Sequence, residues 1–220
     1  MKMTLKLKLV LILVAFTLIP ASIQFYITYQ NNVKALHEKS FENLLSIREN
    51  KSKQISDLFK VMGNQVQVIS KNPLIKDSIV KFSHEYNKIE ESYKKRPDDI
   101  AKMKSSLEAY YTEKFATEYM STNNNQKAEG LNEALDTLGP AAIALQYHYI
   151  SNNKNPLGSK HLLTKAKDGS EWSNIHEKNH PFLKNYLETF GYYDIFLVDI
   201  DTGAIVYSVY KELDFGTSLI

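Results

Sequence analysis

The first strong pattern along the chain is an apolar run with nothing polar enough to interrupt it. Leu9 to Ile27 is nineteen residues long and contains no Asp, Glu, Lys, Arg or His. At ~1.5 Å per residue a helix of that length just crosses a ~30 Å hydrocarbon layer. The pattern predicts a transmembrane helix over residues 9–29, with Tyr26 and Tyr29 as interfacial anchors at its far end. Pro20 is compatible with this, because membrane helices tolerate a kink where the freed carbonyl finds another donor. Residues 1–8 carry Lys2, Lys6 and Lys8, which places this end in the cytoplasm and everything after about residue 29 outside it. A cleaved signal peptide is the competing reading. It needs small residues at fixed positions before the cut, and around Pro20, Ala21 and Ser22 the nearest frames put Pro20 or Ile23 there. The retained anchor is therefore preferred.

The next stretch changes from uniformly apolar to periodic. Between Asn31 and Ser70 there is no proline, Gly63 is the single glycine, and apolar residues recur in steps of three and four. Val33, Leu36, Phe41, Leu44, Leu45 and Ile47 form one half of the stripe; Ile55, Leu58, Phe59, Met62, Val66 and Ile69 form the other. This predicts a long stalk helix over 30–71, about 60 Å in length, whose stripe pairs with other helices or a second subunit. The polar Lys51–Lys53 region leaves two shorter helices as the alternative.

Asn72-Pro73 ends that element, because the residue before proline is pushed out of helical geometry. A helical segment over 72–140 follows. One helix spans Leu74 to Tyr93, and Arg96-Pro97-Asp98-Asp99 breaks the chain and restarts it with acids in the first turn. A further helix covers Ile100 to Met120, residues 121–125 form a polar loop, and a short helix from Ala128 to Leu138 is closed by Gly139-Pro140.

From there to the end, 141–220, the pattern predicts a mixed domain. Ile143 to Ile150 (IALQYHYI) is short and aromatic and is predicted as a strand. His161 to Lys167 is ambiguous, and Ile175 to Phe190 is helical up to Gly191. Tyr193 to Asp199 and Ala204 to Tyr210 flank Ile200-Asp201-Thr202-Gly203, predicting a hairpin whose turn Asp201 holds through its side chain. Two strands cannot stand alone, so the sheet is expected to continue and the chain reads as incomplete at Ile220. The predicted fold class is α+β: a transmembrane helix, a stalk helix, a helical segment, and an antiparallel sheet.

Composition narrows the function. The 220 residues carry a net charge of +2, and without the three early lysines the remainder is near −1. There is no basic stripe for nucleic acid. Cysteine is absent, which removes disulfides, thiolate metal sites and a cysteine nucleophile. No G-x-S-x-G and no G-x-G phosphate loop occurs. The chain is expected not to be an enzyme and to need no cofactor. His176 and His180 share a helical face at a spacing usable for a metal. The plainer role is capping, pairing with tyrosines, or solvation. The fourteen tyrosines and the acids near the hairpin suggest a pocket that grips a small polar solute. Candidate ligand-binding residues are Trp172, Tyr193, Asp194, Tyr207 and Lys211, with Asp201 secondary. The plainer reading makes Asp199 and Asp201 turn residues and Lys211 and Glu212 a solvated pair.

Taken together, these pieces resemble a family. A single N-terminal anchor, a long helix and a mixed domain ending in YYDIFLVDIDTGAIVYSVYKELDFGTSL are similar to the extracytoplasmic sensors of bacterial methyl-accepting chemotaxis proteins. LQYHYISNNKNPLGSK (Leu145 to Lys160) and HEKNHPFLKNYLETFGYYDIFLVD (His176 to Asp199) carry the same similarity. The resemblance implies a Cache-type fold, a long helix packed on a PAS-like antiparallel sheet. It further implies a homodimer in the bacterial inner membrane that detects a small extracellular solute. The signal then passes to cytoplasmic machinery through a HAMP linker and a coiled coil lying in further sequence. Amino-acid-binding members use Tyr, Arg and Asp. Here the arginines are Arg48 and Arg96, both in the helical half, so Lys211 or another lysine must stand in if the ligand is of that kind. The same architecture precedes histidine kinases and nucleotide cyclases. A membrane-tethered helical interaction protein without a small ligand and a shed binding protein are the remaining alternatives.

Overall fold

The computed structural model describes residues 4–220, so Lys2 lies outside the described residues. Two compact units are present, Met1–Val68 and Ile69–Ile220. The first belongs to helix α1, Leu5–Lys71. It is long and apolar enough to cross a membrane, a property that a signal segment shares. Pro20 lies within it, and it runs unbroken through Lys51–Lys53 and Gly63, so the two-helix alternative is not adopted. None of its described residues is buried. Phe41, Leu44, Leu58 and Phe59 of the predicted stripe are all exposed.

The second unit is mostly helical with one small sheet. Helix α2, Pro73–Lys94, starts where expected: the Asn72 side chain accepts the Leu74 N–H at 2.9 Å, and Pro73 takes the first helical position. Helix α3, Pro97–Ala109, carries Asp98 and Asp99 in its first turn. It continues through a π turn, Tyr110–Phe115, into α4, Ala116–Thr122. The short helix expected over Ala128 to Leu138 is α5, Leu131–Asp136. Gly130 sits before it in the left-handed region, at φ 72°, which delays the start.

The predicted strand Ile143 to Ile150 is not a strand. Pro140–Gln146 forms α6, and a π turn, Tyr147–Ser151, extends it. Pro140 opens the helix, and the Glu90 carboxylate, 51 residues away on α2, accepts the Ala141 N–H at 2.7 Å. Every residue from Ala141 to Gln146 is buried. A short helix buried on all sides shows no 3.6-residue alternation, so its pattern is the same as that of a buried strand.

Residues 160–162 make a single 3₁₀ turn, Lys160–Leu162, in the ambiguous region. Helix α7 is Glu171–Phe190, beginning four residues before the predicted start because Ser170 caps it through Ser173 N–H at 3.1 Å. That earlier start brings Trp172 into the helix. Gly191, at φ 68°, closes it.

Strands β1, Phe196–Val198, and β2, Ile205–Ser208, pair antiparallel, with Phe196 opposite Ser208, Leu197 opposite Tyr207 and a bulge before Val198. Both are shorter than predicted. The turn between them is held by Asp199 rather than Asp201. Asp199 Oδ1 accepts from Asp201 N at 3.1 Å, Thr202 N at 2.9 Å and Thr202 Oγ1 at 2.9 Å. On the other side of β2, Ile205 N donates to Thr217 O and Gly216 N to Ile205 O, and Ala204 bridges Ser218. All four residues of β2 are buried.

Two apolar clusters hold this unit together. The larger joins Phe82 and Tyr86 of α2, Tyr149, Trp172 and Leu183 of α7, and Val206, Tyr207 and Phe215. The smaller joins Leu107, Tyr110, Tyr111, Leu135 and Ile150. Helix α6 lies between them: Ala141 and Leu145 belong to the first cluster, Ala142 and Ile143 to the second. The fold class is thus a coarse α+β arrangement, helical for the most part, with a small open sheet.

Candidate ligand cavity

A cavity of about 480 Å³ opens between the α3–α4 helical run, the loop before the 3₁₀ turn, and the segment that follows β2. Such a volume is in the range of small-molecule sites. Tyr110, Phe115 and Tyr119 form one wall; Ile150, Leu157 and Lys160 a second; Tyr193, Tyr210, Lys211 and Asp214 a third.

Local structure fixes each wall. Tyr111 donates its hydroxyl to Gln146 Oε1 at 2.5 Å. The Gln146 amide in turn donates to Phe215 O at 2.6 Å and Leu213 O at 3.0 Å. One buried glutamine therefore pins the segment after β2 against α6 and the π turn that follows α3. Lys160 is held from below: its ammonium donates to Asn153 O at 2.8 Å and Asn155 O at 2.7 Å, and Asn153 returns a bond to Lys160 O at 2.9 Å. Its Nζ is 5.1 Å from the centre of the Tyr110 ring. Burial lowers the Lys160 ammonium to about 8.

Lys211 has a left-handed backbone, φ 61°, unusual for a residue with a side chain. Two bonds hold it there. Its N–H donates to Ser208 Oγ at 3.0 Å, and its buried ammonium donates to Ser208 O. The ammonium also stands 4.4 Å from the Tyr207 ring centre. Burial pulls its pKa down to about 7, against the opposing pull of Asp194. It is not the solvated partner of Glu212 that a surface reading supposes.

Asp194 stands behind this segment and acts on the backbone. Its carboxylate accepts from Ile195 N at 2.6 Å, Ser208 Oγ at 2.7 Å, Val209 N at 2.9 Å and Tyr210 N at 3.3 Å. Tyr193 is 78% exposed at the rim, its hydroxyl donating to Glu212 Oε2 at 2.9 Å.

Trp172 and Tyr207 lie in the core and not in the cavity wall. The Trp172 indole N–H donates to Val206 O at 3.1 Å. Tyr207 is joined to the two helical histidines. His180 Nε2 faces the His161 carbonyl at 2.7 Å and must carry the proton, so the Tyr207 hydroxyl donates to Nδ1, also at 2.7 Å. His176 donates through Nδ1 to Thr164 O at 2.6 Å and stacks on His180 with ring centres 4.4 Å apart. Burial, followed by the charge of Lys211, holds His176 well below the ordinary imidazole range and His180 at about 3. Both rings are neutral at physiological pH. His180 spends both nitrogens in hydrogen bonds, and no group of three or more metal-ligating side chains gathers among the described residues.

Of the five residues singled out in the sequence, Tyr193 and Lys211 line the cavity, Asp194 shapes it from behind, and Trp172 and Tyr207 belong to the core. Asp201 is exposed in the hairpin turn. The residues that pattern reading missed are Tyr110, Lys160 and Asp214. Tyr110 is 5% exposed, yet its hydroxyl has no hydrogen-bond partner, and neither has one carboxylate oxygen of Asp214, also buried. Burial raises the Tyr110 hydroxyl to about 12. Burial, reinforced by Asp194 and Glu212, raises Asp214 to about 6, while the N–H groups of Asp214 and Phe215 pull it back. Buried polar atoms without partners are uncommon; among the described residues the others are His161 Nδ1 and His176 Nε2, and the two on lining residues make this cavity the candidate site. Comparison with family models, curated proteins and solved structures gives no match for this chain.

Proposed function

We propose that this chain is the extracytoplasmic solute-sensing part of a transmembrane receptor of the chemotaxis type, anchored in the bacterial inner membrane through residues 9–29. On this reading the small sheet is part of the PAS-like sheet of a Cache-type sensor. The stripe of α1 pairs with that of a second copy in a homodimer. The output lies in further sequence on the cytoplasmic side, and a histidine kinase or a nucleotide cyclase is the alternative to chemotaxis machinery.

The observation that carries the reading is the cavity, two of whose lining residues, Tyr110 and Asp214, each hold a buried polar atom without a partner. Its third wall is continuous with β2, and β2 packs on α2. Tyr207 meets Phe82 with ring centres 5.1 Å apart, and the Tyr86 hydroxyl donates to Gly216 O at 2.9 Å. Helix α2 follows α1 in the chain with Asn72 between them. A solute that binds one arrangement of the 208–216 segment better than another thereby biases α2, and only that difference in affinity does work on the receptor.

The test is a solute screen on the full chain in detergent micelles, following the melting of the lone tryptophan, Trp172, by fluorescence. A sensor shows at least one solute that raises the melting temperature saturably, as binding to the folded state requires. A folded chain that responds to none of a broad panel of amines, amino acids, carboxylates and sugars is instead a tethered helical interaction protein.

A further inference from the structure

The ring side chains of this unit fall into two groups. Phe82, Tyr149, Trp172, Tyr207 and Phe215 lie in the core, fully buried, with ring centres between 5.0 Å and 5.7 Å apart along the contacts that join them. The rings on the cavity are different. Phe115, Tyr119 and Tyr210 are half-buried and Tyr193 is exposed, so each keeps surface that no protein atom covers. Phe115 and Tyr119 pack with each other at 6.0 Å, Tyr210 meets His161 edge-on at 4.7 Å, and Tyr193 has no ring partner among the described residues.

The backbone sets part of this wall in line. Tyr110–Phe115 is a π turn. Five residues along an α-helix a side chain points about 140° away from the first, whereas a π turn closes its hydrogen bond between residues five apart and returns the later one to nearly the same face. Tyr110 and Phe115 therefore line one wall, and Tyr119, one α-helical turn beyond Phe115, extends it. A regular helix through this stretch would turn Phe115 away from Tyr110. Such π turns recur at functional sites.

Taking the cavity as a solute site, as proposed above, we infer that it selects solutes carrying an aromatic ring, which packs against Phe115, Tyr119, Tyr193 and Tyr210. Ring pairs contribute beyond the area they bury, because the electron-rich face of one ring attracts the electron-poor edge of another. Charge does not set the class. Lys160 and Lys211 on the walls are matched by Glu212 and Asp214, so the lining carries no net formal charge.

The experiment is calorimetric titration of the full chain in detergent micelles at pH 7.5, with protein-free micelles subtracted. The probes are three pairs that differ only in saturation of the ring: phenethylamine and 2-cyclohexylethylamine, 3-phenylpropionate and 3-cyclohexylpropionate, phenylalanine and cyclohexylalanine. In whichever pairs bind, the aromatic member should bind about fivefold tighter. Burial of apolar area alone gives the opposite order, because the cyclohexyl group is larger and more hydrophobic. Tyr119→Leu and Tyr193→Leu should each bring that ratio towards one while leaving the saturated member within about twofold. Phe182→Leu removes a ring exposed on α7 outside the cavity and should leave the ratio unchanged. Ring selection is overturned if the saturated member of a binding pair binds as tightly or more tightly, or if the ratio survives both Tyr119→Leu and Tyr193→Leu. It is also overturned, with the sensor reading still standing, if a ring-free solute such as glycine binds and none of the three aromatic members does. A folded chain that binds no solute of any class overturns the sensor reading itself, a distinguishable result.

Discussion

The Tyr207 hydroxyl donates to Nδ1 of His180 across 2.7 Å inside a core where His180 is 1% exposed. That bond requires a neutral imidazole, and the folded pKa of about 3 lies far below the unfolded value near 6.5. Between those values the unfolded chain binds a proton at this position and the folded chain does not, so stability is lost as pH falls below about 6.5. Asp214, raised in the fold to about 6, contributes the opposite slope between its unfolded value and that point, while His176, also held well below the imidazole range, adds to the first, so the net profile mixes them. A difference measurement separates them. His180→Gln keeps a donor for the His161 carbonyl and an acceptor for Tyr207 but does not titrate. Urea unfolding at pH 7.5 and pH 5 should show the gap between wild type and His180→Gln shifting in the variant's favour by about 2 kcal/mol at the lower pH. An unchanged gap means that the imidazole is not held neutral.

Asp194 is a second test, of backbone positioning. Its carboxylate collects N–H or O–H donors from Ile195 next to it and from Ser208, Val209 and Tyr210 in the turn that carries Lys211. Asp194→Asn keeps the shape and replaces one acceptor oxygen by a donor facing other donors. The expected cost is about 1–3 kcal/mol in urea unfolding. Because the same turn carries the cavity wall, solute binding should weaken in the variant even where it is fully folded.

The elements most legible in the sequence are those whose signals are local. Asn72-Pro73 starts α2 through a bond two residues long, the acids after Pro97 mark the start of α3, and Gly191 supplies the left-handed closure of α7. Helix α6 was illegible for the opposite reason. Its cap comes from Glu90 on α2, and its burial between two clusters erases the alternation that distinguishes helix from strand. The hairpin lies where its turn residues predict it, but the turn is held by Asp199, since its carboxylate sits at the start of the turn and reaches the N–H groups of Asp201 and Thr202. The cavity itself has no contiguous trace. Tyr110, Lys160 and Asp214 stand in three segments, each unremarkable alone; the Gln146 clamp on residues 213–215 and the Asn153 and Asn155 carbonyls that hold Lys160 bring them onto one space.

Gly216 tests how tightly that clamp closes. Its φ is 85°, and a Cβ built there would lie 2.9 Å from Ala142 Cβ and 3.0 Å from Ala142 Cα. The glycine carbonyl also accepts the Tyr86 hydroxyl, and its N–H donates to Ile205 O, so the segment has little room to retreat. Gly216→Ala therefore combines a positive-φ penalty with overpacking against α6. Together they should cost about 2–4 kcal/mol in thermal or urea unfolding. Gly158→Ala shares the positive φ, at 75°, but meets nothing within 4 Å, and should cost only the backbone part, about 1 kcal/mol.

The proposed membrane orientation rests on the charge flanking the apolar part of α1, and the absence of cysteine makes it directly measurable. Lys6 and Lys8 precede the apolar run, so on the proposed reading the positive-inside rule predicts Thr4 in the cytoplasm and residues beyond about 29 outside. Thr4→Cys and Lys60→Cys each give a chain with one thiol. In intact cells a membrane-impermeant maleimide should label Lys60→Cys and leave Thr4→Cys unlabelled until the membrane is opened. A retained anchor also predicts that the labelled chain stays in the membrane fraction after a carbonate wash. A cleaved signal would instead release a shorter, soluble Lys60→Cys product and leave no chain in which Thr4→Cys can be labelled. Labelling of Thr4→Cys in intact cells would reverse the topology and place the cavity on the cytoplasmic side, where an extracellular solute does not reach it.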